Sequence, residues 1–387
     1  MLKNNRKINL VLYIDSLMIG GMHRQTLYLA KYLNKNIFNV CVLTQNTDKG
    51  GLREEFYNSG CKMIDLGRNS TPNKKKSFNP LISYKLYKIF KKEKTDVIYL
   101  NAAPNLIYFK LVNFFLFKKI SLIGSFRALT FWKGHLSKSY KWIDVLFSQL
   151  LYNSSKFTVV NSNALNIHYS EILKINKPLV TINNGSDFSY VITKKPAKIR
   201  KDLKIESNEC FVLMSARLDP WKDFETFVNA AKVVVNKTNL VKFVIMGGGP
   251  LKDDIKKLIS TNNLENNILM IGEKIDAINY VNACDISVLC SFGEGFSNTI
   301  LESMFLMKPV IATNVGGNVD LIGNTNKFGY LVSKGSHTEV ANKILFLKDN
   351  PKLRSEIGKS AKKKITELCD LKSYVRKYEE IFIKTLK

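Results

Sequence analysis

Short apolar runs alternate along this chain with longer stretches in which apolar residues recur every three or four positions. The first run is INLVLYI (8–14), followed by Gly20-Gly21 and then MHRQTLYLAKYLNK. That order predicts a strand, a glycine loop and a helix. The rhythm returns in NVCVLTQ, CKMIDL, DVIYL, ISLIGS, FTVVNS and PLVTINNG, with helical patterns between several of them. Beyond a lysine-rich connector, KKPAKIRKDLK (194–204), it restarts with CFVLMSA, VKFVIMGGG, NILMIG, DISVLCS, KPVIAT and FGYLV. DFETFVNAAKVVV and HTEVANKILFL are helix-like segments of this second series. Alternating strands and helices imply parallel sheets covered on both faces. The predicted class is therefore α/β: two doubly wound, Rossmann-like domains facing each other across a cleft.

At 387 residues the chain exceeds what one hydrophobic core organises, which agrees with two domains. The expected boundaries are 1–192 and 193–369, with a helix at about 370–387 packing back on the first domain. Apolar and charged fractions, 45% and 24%, are ordinary for a folded protein, but a net charge of +27 is not. Residues 1–190 hold 28 Lys and Arg against 10 Asp and Glu, and the remainder 31 against 22. The excess lies mainly in the N-terminal half, which should face something anionic.

Asp15 interrupts the first apolar run, so no signal peptide is expected, and lysines break NLIYFKLVNFFLFKKISLIGSF well short of a membrane span. Six cysteines without paired spacing point to buried thiols in a reducing cytosol. The four histidines show no metal-ligand spacing, and no DxD motif is convincing.

In doubly wound sheets ligands bind where loops leave the carboxyl ends of strands. The loops to search are 16–22, 216–223, 247–250, 272–275, 291–299 and 313–317. The most informative follows DISVLCS: in SFGEGFSNTILESMFLM, Glu294 precedes a predicted helix and Glu302 lies inside it, with Ser297 or Asn298 as its cap. The free N–H groups at such a helix head favour phosphate. Arg217 and Lys222, five residues apart in SARLDPWKDF, could clamp a diphosphate.

Taken together, SARLDPWKDFETFVNAA, VIMGGGPL and SFGEGFSNTILESMFLMKPVIATNVGGNVDLI resemble the retaining glycosyltransferases of family 4, which have the GT-B fold. The match is strongest over 205–335 and extends more faintly to IGGMHRQTLYLAKYL, FTVVNSNA and TINNGSD. The resemblance implies that Arg217 and Lys222 hold the donor diphosphate, Glu294 approaches the transferred sugar and Glu302 holds the donor ribose. It places Gly295, Phe296 and Ser297 along the sugar and gives the N–H groups of Asn298 and Thr299 to phosphate. Gly21 would let backbone approach the same phosphates, and Gly272 and Ile275 match the loop beside the nucleobase. Many family members carry a histidine after the strand matched by SLIGSF; here Arg127 occupies that place and could contact sugar, phosphate or acceptor.

The implied reaction is transfer, with retained configuration, from a nucleotide-diphosphate sugar, UDP favoured over GDP. Arg217, Lys222 and the helix head would stabilise the leaving diphosphate without a metal or other cofactor. The acceptor would be lipid-linked or a cell-envelope polysaccharide. NKKKSFNPLISYKLYKIFKKEK (73–94) and the aromatic, basic region 106–142 suit an anionic membrane surface, or else pack on the sheet with lysines outward. That places the protein in the cytoplasm, peripheral at the inner face of the plasma membrane. The competing readings are a GT-B nucleotide-sugar epimerase and a non-enzymatic basic nucleic-acid binder. For the latter no recognition motif exists, and charge alone specifies nothing; nucleic acid is not an expected partner.

Overall fold

The computed structural model describes residues 6–17, 20–45, 51–67, 80–101, 106–115, 120–128 and 138–386. Seven parallel strands form the first sheet: β1 Ile8–Ile14, β2 Phe38–Thr44, β3 Lys62–Asp65, β4 Val97–Leu100, β5 Ser121–Phe126, β6 Phe157–Val160 and β7 Val180–Thr181. Their spatial order is β3-β2-β1-β4-β5-β6-β7. The second sheet holds β8 Cys210–Ser215, β9 Val241–Met246, β10 Ile268–Gly272, β11 Ile286–Leu289, β12 Val310–Thr313 and β13 Tyr330–Val332. Its order is β10-β9-β8-β11-β12-β13, again all parallel.

Uninterrupted apolar runs become central strands because both faces of each sheet are covered. In β1, Ile8, Leu10, Leu12 and Ile14 enter one core while Val11 and Tyr13 enter the core on the opposite face. β8 does the same, with Cys210, Val212 and Met214 on one side and Phe211 and Leu213 on the other. Each fully buried large side chain contributes about 1.5–3 kcal/mol relative to exposure.

The chain divides into two compact units, residues 1–185 with 370–387, and residues 186–369. It leaves the first unit at Gly185, ahead of the lysine-rich stretch. The Gln25 amide fixes that point, its Nε2 donating to Gly185 O at 2.8 Å and its Oε1 accepting from Gly185 N at 2.9 Å. The connector is part of the second unit: its helix, Pro196–Asp202, buries Ile199, and Arg200 pairs with Asp285 at 3.0 Å. The chain returns in the helix Leu371–Lys384, capped by Asp370, whose Tyr374, Val375, Tyr378, Ile381 and Phe382 complete the first unit's core.

On the other face of the first sheet, the helices Pro80–Lys92, Leu106–Phe115 and Lys138–Ser154 pack in sequence. In Pro80–Lys92, Ile82, Leu86 and Phe90 recur every fourth residue and are buried, whereas Leu81 (65%) and Tyr84 (57%) are exposed. The aromatic and apolar residues of this stretch thus divide between core and surface. Residues 73–79, 116–119 and 129–137 of the basic, aromatic segments lie outside the described residues. Among the described residues no helix is long and apolar enough to cross a membrane.

Candidate active site

The second sheet reverses its winding between β8 and β11, the crevice where open α/β sheets bind ligands. Two loops meet there. After β8, Asp219 accepts from Trp221 N at 3.0 Å and sets the one-turn helix Pro220–Lys222, which presents Lys222. Asp223 follows with φ 49°, its carboxylate capping the helix Phe224–Val235. After β11, Phe292 N donates to Trp221 O at 2.8 Å and joins the two loops through backbone. Lys222 Nζ then reaches Glu294 Oε1 at 2.6 Å, with the side chains 22% and 11% exposed. Arg217 stands beside them, 68% exposed, its Nε 3.7 Å from Asp219 Oδ2.

The loop after β12 holds the Glu294 loop from behind. Gly316 has φ 48°, and a Cβ there would lie 1.9 Å from Glu294 O; a Cβ on Gly317 would lie 2.1 Å from Gly295 O. Gly317 N donates to Glu294 O at 3.2 Å. Both glycines in NVGG are thus required by contact, and Gly316 by conformation as well.

Ser297 caps the helix Asn298–Phe305, its Oγ accepting from Ile300 N. At the head of that helix lie the first N–H groups, those of Asn298 and Thr299, to which the helix itself supplies no acceptor. Glu302 follows one turn on, half-buried. The structure narrows what two neighbours can offer a ligand. The Phe296 ring is in the core at 6% exposure and the Ser297 hydroxyl is engaged by the cap, so a sugar would meet mainly their backbone. Gly272 (φ 70°) ends β10, two strands from β8, and the fully exposed Ile275 follows it.

Gly21 belongs to the first unit, where it opens the helix Gly21–Tyr32 behind β1. Beside it His23 Nε2 lies 3.0 Å from Asp15 Oδ1 and 3.3 Å from Ser16 Oγ. The hydrogen bond with His23 holds the Asp15 carboxyl below the usual carboxylate range. Spacing rules aimed at metals gave no reason to single out this pair.

Arg127, expected to contact sugar, phosphate or acceptor, makes its hydrogen bonds within the first unit. Its Nη1 donates to Asn184 Oδ1 at 2.9 Å and its Nη2 to the hydroxyls of Tyr99 and Tyr378 at 2.9 and 2.7 Å. The guanidinium braces the end of β5 against the returning C-terminal helix, whose tyrosines lie about 250 residues further along the sequence. Among the described residues no group of His, Cys, Asp and Glu side chains is arranged to hold a metal.

Two doubly wound parallel units, the second carrying a lysine–glutamate pair at its switch point beside a helix head, define a GT-B glycosyltransferase. The comparisons agree: "Glycosyltransferase Family 4" matches residues 19–190 and "Glycosyl transferases group 1" matches residues 195–364. The chain belongs to the GT-B glycosyltransferases of the family 4 type. It is 31% identical over 231 residues to the poly(ribitol-phosphate) alpha-N-acetylglucosaminyltransferase of Staphylococcus aureus, spanning 59% of this chain and 46% of that protein. It is 26% identical to the UDP-Gal:alpha-D-GlcNAc-diphosphoundecaprenol alpha-1,3-galactosyltransferase of Escherichia coli, over 95% of this chain and 94% of that one. Anabaena HepE in complex with UDP-glucose superposes with a TM-score of 0.82 at 20% identity, covering 97% of this chain and 100% of HepE.

Proposed function

We propose that this enzyme transfers a sugar from a UDP-sugar to a lipid-linked or cell-envelope polysaccharide acceptor, with retention of anomeric configuration and without a metal. The observation that carries the reading is the Lys222–Glu294 pair at the switch point of the second sheet, one residue turn from a capped helix head. Breaking the anomeric C–O bond places negative charge on the departing diphosphate. Lys222, Arg217 and the N–H groups of Asn298 and Thr299 offer positive charge to it, most strongly in the transition state. Glu294 faces the transferred sugar and Glu302 takes the ribose; Gly295, with the backbone of Phe296 and Ser297, lines the sugar. Gly272 and Ile275 flank the base. The UDP preference and the acceptor class are supported by the E. coli relative and by HepE, whose names state UDP-linked sugars and, for the former, a diphosphoundecaprenol acceptor. The first unit receives the acceptor, and its exposed Leu81 and Tyr84, beside Lys85 and Lys88, rest on the inner face of the membrane.

Thermal shift with UDP and GDP, followed by a panel of their sugars on a polyprenyl-diphosphate-linked acceptor, tests the donor and acceptor assignment. Product NMR reads the anomeric configuration. Glu294→Gln and Lys222→Ala should each lower turnover at least 100-fold with the melting temperature nearly unchanged, and Lys222→Ala should also weaken UDP binding. Turnover like the wild type in both would move the site elsewhere. Activity should survive EDTA; strict dependence on added Mg²⁺ or Mn²⁺ would contradict the metal-free reading.

A further inference from the structure

Glu294 is held in an asymmetric way. Both of its side-chain hydrogen bonds fall on Oε1: Lys222 Nζ donates at 2.6 Å and Ser291 Oγ donates at 2.6 Å. Among the described residues no hydrogen bond to Oε2 is made. One oxygen is anchored and the other is presented. The two anchors differ in kind. Lys222 is on a loop, partly exposed, and is the cation proposed for the donor diphosphate. Ser291 is fully buried at the end of β11, and Thr313 Oγ1 donates to its carbonyl at 2.5 Å. Thr313 is itself fully buried at the end of β12, and Asn318 Nδ2 donates to the Thr313 carbonyl at 3.0 Å. Ser291 is thus tied into the buried ends of two interior strands, while Lys222 reaches in from a partly exposed position.

We infer that Ser291 is the positioning residue for Glu294: it keeps Oε1 turned inward, so that Oε2 faces the reacting sugar, at the moment Lys222 leaves the carboxylate for the diphosphate. A diphosphate carries more negative charge than one carboxylate and offers several oxygens, so an ammonium within reach of both favours the phosphate side. Glu294 then loses one of its two anchors as the donor arrives. Without Ser291 its carboxylate would be free to swing about the side-chain torsions, and a displacement of about 1 Å at a reacting group costs about 100-fold in rate. Ser291 touches neither sugar nor phosphate in this scheme, so its loss should act on turnover and spare donor binding. The inference rests on the proposed role of Glu294.

The test compares Ser291→Ala, which removes the hydroxyl, with Ser291→Thr, which keeps it, in the full-length enzyme. UDP affinity is measured by calorimetry, melting temperature by fluorescence, and kcat and KM with the UDP-sugar that the panel selects. Expected for Ser291→Ala are a kcat lowered 10- to 100-fold, UDP affinity and donor KM within threefold of wild type, and a melting temperature within a few degrees. Ser291→Thr should recover most of the lost kcat. A kcat within twofold of wild type in Ser291→Ala would overturn the inference, as would a loss confined to KM and UDP affinity. Should Ser291→Ala not fold, Ser291→Cys, of similar size but a weak donor, is judged on the same criteria. Glu294→Gln in the same assay separates the two levels. Full activity in Glu294→Gln removes the underlying site, whereas its inactivity beside a normal Ser291→Ala removes only the role of Ser291.

Discussion

Glu294 is fixed by more than its own side chain. Its carbonyl oxygen lies where a Cβ on Gly316 would have to go, 1.9 Å away, and the Gly316 backbone adopts φ 48°. Gly316→Ala therefore combines backbone strain of about 1–3 kcal/mol with a clash that only a shift of the Glu294 loop relieves. We expect a lowered melting temperature and turnover reduced at least tenfold, measured on the same preparation. Normal turnover would mean that the loop position is unimportant. The thiols make a second residue-scale case. Burial pushes Cys41, Cys210, Cys284 and Cys369 up to about 12 and Cys290 higher still, while Cys61 is only half-buried. At neutral pH the native chain should expose one fast-reacting thiol to a disulfide reagent, at Cys61, and all six after denaturation. Glu294, Lys222 and Arg217 were readable from the sequence because their loops follow strand-like runs at recognisable spacing. Ser291 was not, because a serine at a strand end carries no signal until the carboxylate it faces is located.

Helices show how far periodicity reaches. The stretch at Pro80–Lys92 has apolar residues on more of its circumference than one sheet contact needs. Sequence alone left two outcomes open, core or membrane surface, since a helix wheel does not say which stripe the sheet takes. The structure assigns Ile82, Leu86 and Phe90 to the core and leaves Leu81 and Tyr84 outward, with Lys88 Nζ 4.5 Å from the Tyr84 ring. On the helix Lys138–Ser154, beyond Leu106–Phe115 on the same face of the sheet, Trp142 (66%) and Leu146 (41%) are exposed as well. If this surface meets anionic lipid, Leu81→Ser with Tyr84→Ser should cut sedimentation with phosphatidylglycerol vesicles several-fold and leave the melting temperature unchanged, since neither side chain is in the core. Equal sedimentation of variant and wild type would place the contact elsewhere. High salt should weaken the wild-type association, because each nearby Lys or Arg contributes about 1 kcal/mol by a screened attraction.

At the scale of the whole chain, the two series of strands were legible because both repeat one strand–helix rhythm, and a return at about 370 was expected, but the first crossing was set at 192 and the chain divides at Gly185. Charge drew attention to residues 194–204, whereas the first unit ends at Gly185, where the Gln25 amide clasps the backbone and a Cβ would strike the Tyr374 side chain at 2.7 Å. These are contacts between residues about 160 and 190 positions apart, beyond any local pattern. The returning helix Leu371–Lys384, expected at about 370–387, puts its five buried side chains into a core begun at Ile8. Phe382 is fully buried there, with its ring 6.0 Å from those of Phe38 and Tyr99. Phe382→Ala should cost the first unit about 3–5 kcal/mol. No residue of that helix enters the cores around the second sheet, so the loss should stay local. Hydrogen exchange on the full-length variant is the measurement: protection should fall in β1 and β4 and in the helix itself, and hold in β8 and β11. UDP binding, assigned to the second unit, should persist under conditions where the first unit is loosened. Equal loss of protection in both sheets would show that the last 18 residues support the whole molecule rather than one core.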